Sequence, residues 1–246
     1  MTAEPPIRLH PDLERPEARA AIAERLRQHG RAHIPGILDP AAAQRLHRCL
    51  VSEVPWNVIF NEGDKVHALA PQQYAALTPD KQAWLANLIR TSARQGFQYI
   101  YCNYPVWDLY QRDPNQPLYV FRLLEFLNSE PFLDFVREIS GVPTIAMADS
   151  QATLFKPHHF LTGHTDLGTS AQKRKLAYVL NLTPEWRTEW GGILEFTDPA
   201  GNVLEGFIPS FNALNLFHVP TPHHVSYVTP FAGAGRYSMT GWLRER

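Results

Sequence analysis

Two cysteines, Cys49 and Cys102, are all that 246 residues provide. They stand far apart, in a helix-like and a strand-like pattern, which excludes a disulfide framework and a metal knuckle; buried thiols in a reducing compartment are expected. Neither charge is in excess, with 23 Lys plus Arg against 24 Asp plus Glu and a net charge of -1. That balance gives no electrostatic reason to expect nucleic acid or an anionic membrane as a partner. No run approaches the ~18–20 apolar residues of a membrane span. The opening MTAEPPIRLHPDLERPEARA is charged and proline-bearing and lacks the apolar core of a secretory signal, so the cytoplasm is the expected location. Charged residues make up only 19% of the chain, which excludes a highly solvated, disordered one. A P-loop is missing too: Gly191-Gly192 stands outside any such pattern and reads as a bulge or a close backbone approach.

What is present divides into two textures. The first half reads mainly as helices. Ala18 to Gln28 has a plausible stop at Gly30, Asp39-Pro40 opens a helix through Leu46 and Leu50, and Thr78-Pro79 repeats that signal. Two more helices are predicted around Phe121 to Leu127 and Phe132 to Ile139. From about Ala152 the period changes to short strands: 175–181, 192–196, 213–217, 224–228 and 237–243, with Phe97 to Tyr101 as an earlier one. Gly, Pro, Asn and Asp clusters separate them, a pattern of sandwiches, barrels and jelly rolls. The expected class is α+β, in a single domain over 1–246. Residues 1–145 form mainly helical support, with capacity for a substrate lid, and 146–246 form the catalytic core.

Six of the eleven histidines fall between His158 and His224. In an extended segment His164 and Asp166, at i and i+2, project to one face and can grip one ion. A later histidine of Pro222-His223-His224-Val225 can supply a third ligand. Two imidazoles and a carboxylate that leave positions open form the facial triad of non-haem Fe(II) oxygenases. An isolated H-x-D is more often a surface hydrogen bond, but Arg236 and Ser238 follow in a strand-like run. Sharing a face, they can clamp a carboxylate, the guanidinium binding as a fork.

The ordered set Phe160-Leu161-x-x-His164-x-Asp166, Tyr178-Val-Leu-Asn181, Trp190-Gly191-Gly192-x-Leu194, Pro209-x-x-Asn212-x-Leu214-x-x-Phe217, Pro222-His223-x-Val225 and Arg236-Tyr-Ser-Met-Thr-x-Trp242 resembles the catalytic core of Fe(II)- and 2-oxoglutarate-dependent dioxygenases of the prolyl hydroxylase type. The stretch His33-Ile-Pro-Gly-Ile-Leu-Asp39 resembles the lead-in of that family. The resemblance implies a double-stranded β-helix (jelly roll) with the N-terminal helices packed outside it. It implies Fe(II) held by His164, Asp166 and His223, with His224 on the opposite face. Arg236 then binds the distal carboxylate of 2-oxoglutarate, helped by Ser238, with Thr240 and Trp242 lining the same pocket. O2 is consumed, succinate and carbon dioxide are formed, and ascorbate is a candidate reductant. Many relatives place a tyrosine nine residues before the first ligand; here that position is Phe155, and Tyr178 or Tyr99 is a candidate replacement.

The other conspicuous residues receive structural readings. His158 and His159 are expected in an exposed loop, His218 at a strand end, and Trp186 and Trp190 in packing. Tyr99, Tyr101, Asn103 and Tyr104 fit a pocket border or a core strand equally well. The expected activity is hydroxylation of a prolyl or proline-like group. Within the enzyme class the rival is hydroxylation of a free amino acid or other small metabolite. The rival of another class is a cupin-like metal-binding protein, which has no need of Arg236 and Ser238. Nucleic acid is disfavoured by the absence of a basic stripe.

Overall fold

Helix boundaries follow the capping residues. The computed structural model describes residues 4–167 and 173–245. Helix α1 (Pro16–His29) ends where Gly30 turns left-handed (φ 68°) and its N–H returns to the Leu26 carbonyl at 2.8 Å. Helix α2 (Pro40–Ser52) starts on Asp39, whose carboxylate accepts from the Ala41 N–H at 2.9 Å. The chain continues through α3 (Pro71–Ala75), α4 (Pro79–Ala93), α5 (Val106–Arg112), α6 (Tyr119–Leu127) and α7 (Glu130–Ser140). The predicted stripe Phe132, Val136, Ile139 on α7 is buried. No helix among the described residues is long and apolar enough to cross a membrane.

The strands are β1 (Arg31–Pro35), β2 (Asn57–Glu62), β3 (Lys65–Leu69), β4 (Tyr99–Tyr104), β5 (Met147–Ala148), β6 (Gln151–Phe155), β7 (Phe160–His164), β8 (Arg174–Asn181), β9 (Leu194–Thr197), β10 (Val203–Phe207), β11 (Ala213–His218), β12 (His223–Val225) and β13 (Arg236–Arg244). Ten of them pair antiparallel in the order β1-β11-β8-β13-β6-β4-β7-β12-β9-β10, while β2 joins β4 and carries β3, and β5 joins β13. The ends of this path meet through side chains. Arg31 on β1 donates to Glu205 on β10 at 2.7 Å, Arg25 on α1 donates to the same carboxylate, and the His33 ring lies 5.5 Å from Phe207. The sheet thus curls into a nearly closed barrel, the double-stranded β-helix that was expected.

Strand alternation divides the barrel's two faces. Leu176, Tyr178 and Leu180 of β8, with Met239 and Leu243 of β13, join α2, α6 and α7 in the main core. Ala177, Val179, Phe196 and Phe217 face the interior. The helices therefore cover the outer face and leave the inner one for a cavity. The first half is less purely helical than its texture predicts. It contributes β1 to β4, and β4 sits between β6 and β7, so the division at 145/146 is not a division of the sheet. Of these, β4 overlaps the strand predicted at Phe97 to Tyr101, whereas β2 escapes a periodicity reading because Asn57–Glu62 is buried at four consecutive positions and shows no alternation. The β2–β3 turn also lacks the usual Asn-Gly signal.

Candidate active site

His164 closes β7, and His223 opens β12 directly opposite it in antiparallel register. Their ring centroids are 4.2 Å apart. In each, Nδ1 lies on the carbonyl two residues back, His164 on Thr162 at 3.0 Å and His223 on Thr221 at 2.8 Å. A carbonyl can only accept, so each Nδ1 carries the proton and each Nε2 keeps a free lone pair. Burial pushes the pKa of both imidazoles down, that of His223 to about 4, so both are neutral at pH 7.

Asp166 completes the group, though not by strand alternation. β7 ends at His164, and Asp166 adopts a left-handed backbone (φ 62°), which Asp tolerates better than most residues. This turn brings Oδ1 within 3.6 Å of His164 Nε2 and Oδ2 within 3.7 Å of His223 Nε2. One ligand atom from each residue lies within 4.8 Å of the other two. Donors bound ~2.0–2.2 Å from one ion on adjacent octahedral positions stand about 3 Å apart, so a small contraction closes the set. His224 points the other way, its Nε2 meeting Glu195 at 2.8 Å.

The triad borders a cavity of about 580 Å³ inside the barrel. Arg236 lines it too. This guanidinium is 1% exposed, yet neither its Nε nor its Nη2 has a hydrogen-bond partner among the described residues. Its Cζ lies 5.1 Å from the Phe155 ring. Burial pulls its pKa down to about 10, which leaves it protonated at neutral pH. An uncompensated buried cation is costly, and an anionic guest removes that cost.

The remaining predicted residues divide. Thr240 and Trp242 line the cavity, as their shared face with Arg236 requires. Ser238 is fully buried with its hydroxyl 3.2 Å from that of Thr153, which stands two residues before Arg236's own neighbour Phe155 on β6. Tyr178 lines the cavity too, while packing in the main core, and its hydroxyl donates to the Asp149 carbonyl at 2.8 Å. Tyr99 and Tyr101 form a wall with Phe155, which stacks on Tyr101 at 4.9 Å and 11°. His159, expected to be exposed, is buried: its Nδ1 accepts from the Lys156 N–H at 3.2 Å. Its neighbour His158 is exposed and meets the Tyr227 hydroxyl. Gly191 justifies the close-approach reading, since a Cβ there would lie 2.0 Å from the Tyr227 carbonyl oxygen.

Arg174 is the site residue that sequence reasoning missed. It lines the cavity with its guanidinium 3.6 Å from the Trp242 ring centroid. Strand parity could not have found it, because the β8–β13 register shifts between Leu243 and Arg244, where Arg174 pairs. A basic run, Lys173-Arg174-Lys175, at the start of β8 was the available signal.

Comparison with known proteins agrees with this geometry. Residues 150–244 match the 2OG-Fe(II) oxygenase superfamily. A mouse (Mus musculus) relative, prolyl 3-hydroxylase OGFOD1, is 26% identical over 126 residues, 49% of this chain but only 23% of that protein. Among solved structures, a Pseudomonas putida prolyl-4-hydroxylase is 18% identical with a TM-score of 0.59, covering 93% of this chain and 99% of the other. A Trichoplax adhaerens prolyl hydroxylase, in complex with a hypoxia inducible factor oxygen degradation domain peptide, is 15% identical with a TM-score of 0.58, covering 93% and 90%. At these identities the structural likenesses establish the fold. The segment that resembles the 2OG-Fe(II) oxygenase superfamily is the one carrying the triad and Arg236.

Proposed function

We propose that this chain, folded as one unit over 1–246, is an Fe(II)- and 2-oxoglutarate-dependent hydroxylase of a prolyl or proline-like group. The observation that carries it is the pairing, in one cavity, of a His-His-Asp donor set with a buried cation that no anion of the described residues neutralises. A metal-binding jelly roll without a carboxylate co-substrate has no use for that cation.

The residues fit the groups the reading requires. His164 and His223 offer neutral Nε2 lone pairs held in place by their Nδ1–H bonds, and Asp166 adds one anionic oxygen. Arg236 receives the distal carboxylate of 2-oxoglutarate, and Thr240 and Trp242 shape that end of the pocket. Ser238 and Thr153 steady the strand pair beside it. When bound, the iron supplies the redox chemistry that couples O2 and 2-oxoglutarate to succinate, carbon dioxide and one oxygen atom on the substrate. The chain's share is to order the donors, fix the co-substrate and keep the wall apolar through Phe155, Leu161, Val179 and Phe217.

The prolyl reading rests on the relatives, and a peptide-bound member among them favours a macromolecular substrate over a free metabolite. The two unpaired buried thiols suit the cytoplasm. The test is succinate release from 2-oxoglutarate with Fe(II), ascorbate and O2, stimulated separately by high-mass and low-mass fractions of a host lysate. Protease-sensitive stimulation by the high-mass fraction, with a prolyl residue gaining one oxygen, is expected. Stimulation by the low-mass fraction alone reassigns the substrate to a metabolite, and no succinate under any condition refutes the activity.

A further inference from the structure

Glutamine is ordinarily an exposed residue, yet Gln98 is fully buried. A buried primary amide costs free energy unless its polar atoms are bonded, and here both ends are. Its Nε2 donates to the Asn61 carbonyl at 3.0 Å, and its Oε1 accepts the Tyr99 N–H at 2.8 Å. Asn61, also buried, returns the tie by donating from Nδ2 to the Phe97 carbonyl at 3.2 Å. These two side chains fix the backbone of 97–99 against β2, just where β4 begins.

The backbone held in this way grips β7. The Gln98 N–H donates to Thr162 Oγ1 at 2.8 Å, and the Gln98 carbonyl accepts the Thr162 N–H at 2.9 Å. Thr162 is the residue whose own carbonyl accepts the His164 Nδ1–H, at 3.0 Å. In a ligating histidine the partner of the second ring nitrogen sets ring orientation and tautomer, so whatever holds that partner matters to the ion. The other imidazole is supported differently. Thr221 also stands two residues before its histidine and offers its carbonyl to His223, but its hydroxyl donates to the His218 carbonyl at 2.6 Å, three residues away. That support is local to one segment, whereas the support of His164 comes from a residue 64 positions distant.

We infer that Gln98 and Thr162 are positioning residues of the metal centre. Together they clamp the Thr162 carbonyl so that His164 keeps its Nε2 aimed at the point it shares with Asp166 and His223. Both stand outside the cavity lining, so they act through His164 and not on a guest. The inference rests on the reading of the triad given above. It gives the first half of the chain, through Asn61 and Gln98, a part in holding a ligand that the second half supplies.

The test uses the full chain and Co(II), which takes nitrogen and oxygen donors and whose visible absorption reports their geometry. Affinity is measured by competition with a coloured chelator, and the melting temperature of the metal-free protein is recorded beside it. Thr162→Val keeps the side-chain volume and removes the hydroxyl acceptor. It is expected to weaken Co(II) about 10- to 100-fold and to change the visible spectrum, the scale of losing a partner that orients a ligand. Thr162→Ser, which restores the acceptor oxygen, should return to within about threefold of the wild type. Gln98→Leu, which frees the backbone of 97–99 from its side-chain ties, should shift the spectrum in the same direction with a smaller loss of affinity. The clamp is overturned if both Thr162→Val and Gln98→Leu melt earlier but bind Co(II) with wild-type affinity and spectrum, since that marks scaffold residues only. It is also overturned if Thr162→Ser loses as much affinity as Thr162→Val. Where one of the two positions yields no folded variant, the other decides by the same readouts. A wild-type chain that binds no Co(II) overturns the triad reading itself and the clamp with it, an outcome that is separate from any effect of the variants.

Discussion

In one part of the cavity lining two imidazoles and a carboxylate lie within 4.8 Å of each other; in another, the buried guanidinium of Arg236 stands over the Phe155 ring. Both parts are buried, yet burial acts on them in opposite ways. Removal from water drives the imidazoles of His164 and His223 toward the neutral form, which is the form that ligates. The same removal cannot discharge Arg236 at neutral pH, because its pKa falls only to about 10. One part is therefore poised to accept a cation and the other an anion. The two are also built differently. Backbone carbonyls and a left-handed turn aim the triad, whereas strand register alone places Arg236, opposite Phe155 and two residues before Ser238.

The largest effects should come from breaking the triad. His223→Ala should lose the metal and with it all succinate formation, while His224→Ala, which removes only the contact to Glu195, should keep both. Metal content of the purified variants, measured beside turnover, decides it; iron loss in the His224 variant alone would reverse the assignment. Arg236→Ala should leave metal content near wild type and raise the KM for 2-oxoglutarate on the order of 100-fold, the scale of losing one partner of a buried charge pair. A metal content that fell in step with 2-oxoglutarate binding would mean that the two parts are one structural unit.

This contrast also explains what could be read from the sequence. Arg236, Thr240 and Trp242 were legible because a regular strand turns spacing into a shared face. His164 and Asp166 do lie together beside His223, but through a left-handed turn at Asp166 and not through the strand alternation that was expected. Tyr178 sits in a matching motif and borders the cavity, but its parity packs it with Leu176 and Leu180 and its hydroxyl is bonded to the Asp149 carbonyl. Arg174 was hidden by a register shift, and the buried strand β2 by its lack of alternation. Where local periodicity and tertiary position coincide the site was visible, and where a bulge or turn separates them it was not.

A smaller effect distinguishes the two parts by pH. His159, in the turn between Phe155 and β7, is held neutral by burial with a pKa of about 4, against the ordinary value of 6.5. The unfolded chain therefore binds a proton that the folded one refuses. This part of the stability is intact above pH ~6.5 and is lost as pH falls toward 4, by about 2 kcal/mol at pH 5. Arg236 contributes nothing in this window, since it is charged throughout. Urea unfolding of His159→Asn, whose amide oxygen can still accept the Lys156 N–H, should show a flatter decline between pH 7 and 5 than the wild type. Equal slopes would mean that His159 already binds its proton in the folded protein.

The smallest expected effect concerns Tyr178, and it sharpens where the carboxylate-binding part stops. Its hydroxyl donates to the Asp149 carbonyl inside the protein, beside Gly241, where a Cβ would come within 2.2 Å of that same oxygen. The three segments are thus packed backbone to side chain, and the hydroxyl is spent on the scaffold. Tyr178→Phe should cost about 1 kcal/mol of stability, the typical net worth of one buried hydrogen bond. It should leave the KM for 2-oxoglutarate within about twofold, because the hydroxyl is already committed to the Asp149 carbonyl and only the unchanged ring borders the cavity. Chemical denaturation and a co-substrate titration on the one variant check both halves. A KM that rose tenfold with stability unchanged would place the hydroxyl on the co-substrate and make Tyr178, after all, the replacement for the hydroxyl that Phe155 lacks.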